Sequence, residues 1–276
     1  MKLFKKAVII GTGLIGGSLG LALKKQHLVS QITGLSRHLK NARLAKKAGA
    51  IDYVGTSLAV VKDADLIILA TPVNTIIDIA FKISKQIKKD CIVIDVGSTK
   101  DVIVSKIQGV IPNFIGCHPL AGSEKRGALN LQAGIFRSSA CIITPSPKTE
   151  QKVLRKVILF WRKLGSRVLI LSPKRHDQIL AFTSHLPHAV AFSLIEAIPP
   201  KFLNLGSTGL MDSTRISASD AHLWSEVFIS NRKNLLQALS SFQTKIAALK
   251  LSLEKQNKKL LVKKLLSARK KREMLG

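Results

Sequence analysis

Seven short apolar runs punctuate the first 170 residues, at 6–10, 31–35, 66–70, 91–96, 113–117, 139–144 and 166–171. Stretches with helical periodicity lie between them, among them 14–26, 39–48, 73–88 and 149–163. Strands that are apolar throughout, rather than alternating, are buried on both faces, and intervening helices supply the cover. The pattern constrains the chain to an α/β fold, a Rossmann-type doubly wound and mostly parallel sheet. After about residue 172 the strand-like runs stop. Residues 173–198, 219–250 and 251–272 read as helices, with Pro199 and Pro200 closing the first of them. The expected division is an α/β domain over 1–171 and an all-helical domain over 172–276, and no internal repeat is visible.

The first run opens into "AVIIGTGLIGGSLG", which places Gly11, Gly13 and Gly16 in G-x-G-x-x-G spacing between a strand and a helix. Alone the spacing is weak, but at the head of a βαβ unit it marks a dinucleotide phosphate loop. Gly11 permits the tight turn, Gly13 leaves room for a pyrophosphate, and Gly16 lets helix and strand approach. The helix N-terminus then presents free N–H groups to the phosphates. Gly11, Thr12, Gly13, Leu14, Ile15 and Gly16 are the cofactor-binding candidates of this loop. A site for NAD usually carries an acidic residue at the end of the second strand, where it accepts from the ribose 2′-hydroxyl. This chain has Ser36, Arg37 and His38 there. An arginine and a serine suit a 2′-phosphate, so Ser36 and Arg37 favour NADP, with NAD left open. Arg37 facing plain solvent is the other reading, in a chain rich in basic residues.

Ligands of open α/β sheets bind beyond the carboxyl ends of the strands. Three further strand ends carry candidates: Thr71-Pro72 after 66–70, Gly97-Ser98-Thr99-Lys100 after 91–96, and His118 after 113–117. Thr71 and Pro72 are placed beside a nicotinamide ribose. A neutral imidazole at His118 could take a proton from an alcohol while hydride leaves the same carbon. From spacing alone that role and a structural one stand level. In the helical part, His185 and His188 are three apart and share a face if the turn at Pro187 permits. With no third ligand and no HExxH, no metal is expected. Arg215 precedes a helix that Ser219 or Asp220 could cap, and it suits a carboxylate substrate. Trp224 reads first as a core residue.

Lys and Arg number 44 against 16 Asp and Glu, a net charge of +28. Such a charge raises a non-catalytic nucleic-acid-binding protein as an alternative, one with steeply salt-dependent affinity. The lysines are dispersed, however, and aromatics are only 5% of residues, without the aromatic-plus-basic patch of single-strand binders. No specific nucleic acid is expected. Residues 255–276 hold nine Lys/Arg with leucines interleaved, a basic helix or a solvated tail. The basic, apolar start resembles a leader peptide, but it parses fully as strand, glycine turn and helix, and no A-x-A-like cleavage site follows. Three widely spaced cysteines, Cys91, Cys117 and Cys141, give no disulfide framework and fit a reducing compartment. A cytoplasmic protein without a membrane span is the expectation.

In order along the chain, "GTGLIGGSLGLALK", "DVGSTK", "GCHPLAGSEKRG", "SHLPHAVAFSL", "DSTRI" and "SDAHLW" resemble the prephenate/arogenate dehydrogenases of tyrosine biosynthesis, from about residue 6 to about 250. The resemblance implies a nucleotide-binding domain, a helical domain that forms a homodimer, and an active site between them. It implies oxidative decarboxylation of prephenate, or of arogenate, with hydride passing to NADP or NAD. By the same resemblance His118 takes the proton of the ring hydroxyl and Ser98 hydrogen-bonds near it. His188 lines the substrate site, Arg215 anchors a substrate carboxylate, and Glu124 and Trp224 shape the pocket. Two departures are visible. Thr208-Gly209-Leu210-Met211 stands where the family often has a second glycine and a basic residue, and Asp220-Ala221 stands for the usual Asp-Pro. No regulatory ligand domain or chorismate mutase segment is expected in the remaining length. The competing class, a β-hydroxy-acid dehydrogenase, would carry a lysine on the interdomain helix, where 173–198 offers histidines instead.

Overall fold

A computed structural model describes residues 2–121 and 130–275. Among them, eight strands form one sheet in the order β3-β2-β1-β4-β5-β6-β7-β8. The strands are β1 (Phe4–Ile10), β2 (Val29–Leu35), β3 (Tyr53–Val54), β4 (Leu66–Leu69), β5 (Ile92–Asp95), β6 (Phe114–Pro119), β7 (Ala140–Thr144) and β8 (Arg167–Ile170). The first six run parallel; β7 turns antiparallel to β6, and β8 follows β7 in parallel. All seven expected strands are present. The antiparallel turn and the two-residue β3 were not anticipated.

Alternate residues of these strands enter two cores. Ala7, Ile9, Ile68, Ile94 and Cys117 pack with helices α1 (Leu14–Lys25) and α5 (Gln151–Lys163). Val8, Ile10, Ile67, Leu69 and Val93 pack with α3 (Val73–Ile83) and α4 (Asp101–Ile107). Helix α2 (Leu39–Lys47) adds Ala45 to the first core. Burial on both faces is the physical reason the strand sequences are apolar throughout.

The chain then becomes helical: α6 (Pro173–Leu180), α7 (Leu186–Glu196), α8 (Thr208–Thr214), α9 (Ala221–Ser230), α10 (Arg232–Glu254) and α11 (Lys258–Glu273). The fold is thus a Rossmann-type sheet followed by an all-helical unit. Helices α6 and α7 are joined by a π turn, Ala181–His185, in which the Leu186 N–H reaches the Ala181 carbonyl. Pro187 has no N–H and its ring crowds the preceding turn, so a widened turn lets the helix continue past it. The expected helix 219–250 is instead two, α9 and α10, separated at the buried Asn231. Helix α11 has no buried residue, and its lysines and arginines lie on a solvated surface.

Candidate active site

The carboxyl ends of β1, β2, β4, β5 and β6 bring most of the sequence candidates to one edge. Gly11 leaves β1 with φ +102°, and a Cβ there would lie 2.2 Å from the Ala70 carbonyl oxygen. Gly16 on α1 faces the Gly11 carbonyl oxygen, which a Cβ would meet at 1.9 Å. These two glycines close the turn on itself. Gly13, between them, has no described residue within 4 Å of where a Cβ would stand, apart from its chain neighbours and its own helix. The open side of the loop is therefore where a ligand backbone can approach. The hydroxyls of Thr12 and Thr71 lie buried beside it without a hydrogen-bond partner among the described residues. Two orphaned hydroxyls over an open glycine are what a dinucleotide would satisfy, so the residues fit that group. Pro72 begins α3. Ser36 lies half-buried just past β2, and Arg37 is exposed with its Nε 3.3 Å from His38 Nε2.

Further along the edge, Ser98 sits half-buried in the turn between β5 and α4. Beneath it Lys100 is fully buried and bonded to the equally buried Asp95, whose carboxylate also accepts from the Gly97 N–H at 2.8 Å. Gly116 of β6 makes room for this pair, since a Cβ would meet Thr144 Oγ1 at 2.4 Å and Lys100 Cδ at 3.3 Å.

His118 lies inside β6 rather than just after it. The strand runs on to Pro119 because β7 pairs with it, Ile142 opposite His118. The imidazole is half-buried, and its Nδ1 is 2.9 Å from His176 Nε2 on α6. Burial first, then the neighbouring His176, Lys100 and His185, hold the His118 pKa well below the usual histidine range. The ring is neutral at neutral pH, as a proton acceptor must be.

His176 continues to Asp177, Nδ1 to Oδ1 at 2.7 Å. That carboxylate accepts the backbone N–H groups of Lys100 at 2.8 Å and Asp101 at 3.0 Å, tying α6 to the start of α4. Asn231 donates to the Asp177 carbonyl at 2.7 Å and lies 3.1 Å from His185 Nδ1. Thr99 donates to Ser230 on α9 at 3.1 Å. The sheet edge and the helical unit are thus joined through polar groups rather than through apolar contact alone. His176, Asp177 and Asn231 were not among the sequence candidates, and Lys100, named there as part of a strand end, was not foreseen as the buried partner of Asp95. The one available signal was a histidine–aspartate pair just after the Ser172 cap, with Ser172 Oγ 3.2 Å from the Arg175 N–H.

The substrate candidates form a second group. His188 donates from Nδ1 to the Ser184 carbonyl at 2.9 Å and stacks on Trp224, with ring centroids 3.5 Å apart. Arg215 opens the short turn Arg215–Ala218, and its charge helps burial lower the His188 pKa. Trp224 is half-buried against His188, His185 and Phe228, so it is a wall of this group rather than a core residue. His185 and His188 both reach Trp224, but through the π turn they take different hydrogen-bond partners. Among the described residues no three metal-ligating side chains come together. Glu124 lies outside the described residues.

Burial pushes the His185 pKa down to about 4, against the pull of Asp177 and with that of His176 and His188. The unfolded chain takes up that proton near the ordinary histidine value, while the folded chain does not until about pH 4. Stability is therefore full above 6.5, the ordinary value, and falls as pH drops from there toward about 4. His185 alone accounts for about 2 kcal/mol between neutral pH and about pH 5, and the lowered His118 and His176 add in the same direction. Urea unfolding across that window measures it. A transition midpoint that does not move would contradict the buried neutral histidines.

A glycine phosphate loop and a neutral, half-buried imidazole on one sheet edge, backed by a helical unit, define the two-domain dinucleotide-dependent oxidoreductases. Comparison with known proteins narrows this. The family model for the prephenate dehydrogenase nucleotide-binding domain matches residues 19–170, and that for the prephenate dehydrogenase dimerization domain matches 172–267. A cyclohexadienyl dehydrogenase of Zymomonas mobilis is 30% identical over 93% of this chain and 91% of its own length. A prephenate dehydrogenase of Bacillus subtilis is 31% identical over 91% of this chain and 70% of its own length. The crystal structure of prephenate dehydrogenase from A. aeolicus, in complex with hydroxyphenyl propionate and NAD+, superposes with a TM-score of 0.93 at 32% identity, covering 99% of this chain and 98% of that one. The chain belongs to the prephenate dehydrogenase family.

Proposed function

We propose that this protein oxidatively decarboxylates prephenate to 4-hydroxyphenylpyruvate in tyrosine biosynthesis, and that His118 is its general base. The observation that carries the reading is the neutral His118 on the same strand edge as the glycine loop. A nicotinamide dinucleotide, held by Gly11 to Gly16, Thr71 and Pro72, supplies the hydride acceptor at that edge. His118 Nε2 takes the proton of the ring hydroxyl as the carbinol becomes a carbonyl, and Ser98 hydrogen-bonds near the same oxygen. Loss of carbon dioxide from the ring then gives the phenol. Aromatisation supplies much of the driving force, so the protein mainly positions and polarises. Arg215 holds a substrate carboxylate, while His188 and Trp224 form the wall beside it. Glu124 is assigned to the same pocket from the sequence resemblance alone.

Ser36 and Arg37 in place of a carboxylate favour NADP, with NAD the alternative. The domain division is placed at residues 171 and 172. A homodimer through the helical unit is supported by exposed apolar side chains there, among them Leu205, Met211, Ile229 and Leu253. Residues 173–196 are long and apolar enough by composition to cross a membrane. Their His176 and Asp177 are bonded into the sheet edge, which a lipid-embedded helix could not offer; the three free, buried cysteines fit a reducing compartment, and the cytoplasm is the one we propose.

The test is nicotinamide reduction by purified protein, with prephenate or arogenate against NADP or NAD. Turnover is expected with prephenate and best with NADP. Turnover with arogenate alone would reassign the substrate, and none in any combination would overturn the reaction. Arg215→Ala should raise KM for the substrate roughly tenfold to a hundredfold with a smaller change in kcat, the scale of one charge-assisted pair.

A further inference from the structure

His176 and Asp177 have no part in the reaction as written, yet both are buried and both lie in line with the base. The direction of each hydrogen bond on that line follows from its far end. The Asp177 carboxylate accepts two backbone N–H groups, from Lys100 and Asp101, and it meets His176 Nδ1 at 2.7 Å. A carboxylate that only accepts leaves the proton of the third bond on His176 Nδ1. A neutral imidazole carries one N–H, so His176 Nε2 is a lone pair. His118 Nδ1, 2.9 Å away, must then be the donor. That leaves His118 Nε2 with the ring's free lone pair.

We propose that Asp177, acting through His176, fixes His118 in the Nδ1–H tautomer and so presents Nε2 as the base toward the substrate hydroxyl. This rests on the assignment of His118 as base made above. His176 and Asp177 are positioning residues, since neither need touch substrate. The arrangement does more than orient a ring. Without an acceptor at Nδ1, the imidazole is free to carry its proton on Nε2, where it could not receive another. When His118 takes the substrate proton, its Nδ1–H still points at His176 Nε2, and the Asp177 carboxylate lies behind. Among the described residues the other charged or titratable groups around the pair are Lys100 and Asp95 below, His185 from the π turn and Cys141 of β7. None of these bonds the His176 ring, whose side-chain partners among the described residues are His118 and Asp177.

The tautomer can be read without turnover. In the full chain labelled with nitrogen-15 at histidine, long-range proton–nitrogen spectra near neutral pH should show His118 with a protonated Nδ1 and a bare Nε2. His118→Asn identifies its signals. His176→Phe keeps an aromatic ring but offers no acceptor. It should release that tautomer and lower kcat roughly tenfold to a hundredfold, with KM within about twofold. His176→Gln returns a carbonyl oxygen toward His118 and should recover most of kcat. A wild-type His118 protonated on Nε2 would overturn the proposal, as would a folded His176→Phe with wild-type kcat. If the phenylalanine variant does not fold, the wild-type spectrum and the glutamine variant still decide. If the wild type reduces no nicotinamide with either substrate, the reaction falls, and the spectrum alone judges the tautomer.

Discussion

His118→Asn lowers kcat by roughly 100-fold or more, the usual scale for loss of a general base. Asparagine keeps a polar side chain of modest size on β6, so the pairing with Ile142 and the strand's backbone bonds are retained. What it lacks is a lone pair that can hold a proton at neutral pH. The expected signature is a fall in kcat and in kcat/KM together, with a thermal midpoint close to wild type, because the lost interaction belongs to the transition state. The wild type adds a second signature. His118 is held well below the ordinary histidine range by burial and by His176, Lys100 and His185, so its activity should stay level as pH falls through 6.5. Rates followed in buffers down to about pH 5 check this. A variant within about threefold of wild type would remove His118 from the reaction.

How far this site could be read from the sequence depended on which physical signal each residue leaves. Buried parallel strands write themselves as apolar runs, so β1, β2 and β4 to β8 were visible. The glycine loop was visible because close backbone approach at Gly11 and Gly16 tolerates no side chain. His118 stood out because a histidine at the end of an apolar strand needs a reason. Strand β3 left no trace, since two residues at a sheet edge carry no periodicity. Helix α4 was named neither as helix nor as strand, since its seven residues, DVIVSKI, are too short and too rich in β-branched side chains for a clear helical signal; burial of Ile103, Val104 and Ile107 goes with the helix. The break between α9 and α10 turns on Asn231, whose side chain serves the Asp177 carbonyl, a partner 54 residues away. His176 and Asp177 were missed for the same reason. Their meaning lies in contacts to β6 and α4 that no local pattern encodes.

Lys100→Met should destabilise the protein by about 3–5 kcal/mol, the cost of leaving one member of a buried ion pair alone. Lys100 and Asp95 are both fully buried, and the lysine ammonium is the only cation bonded to that carboxylate among the described residues. The remaining acceptor bonds of Asp95, from the Gly97 and Cys117 N–H groups, are neutral and do not replace the charge. Methionine fills the channel that Gly116 leaves open, so the loss is one of charge more than of volume. The Asp95→Asn/Lys100→Met double variant, neutral on both sides, should regain part of the loss, and a double-mutant cycle in urea gives the coupling directly. The same substitution should reach the base. Lys100 is among the cations that lower His118 and His176, so its removal lets the His118 pKa rise, and the acid limb of kcat moves to higher pH. A methionine variant as stable as wild type would mean the pair is not the anchor of this edge. A variant of lower stability with an unmoved acid limb would mean that it anchors the edge but does not tune the base.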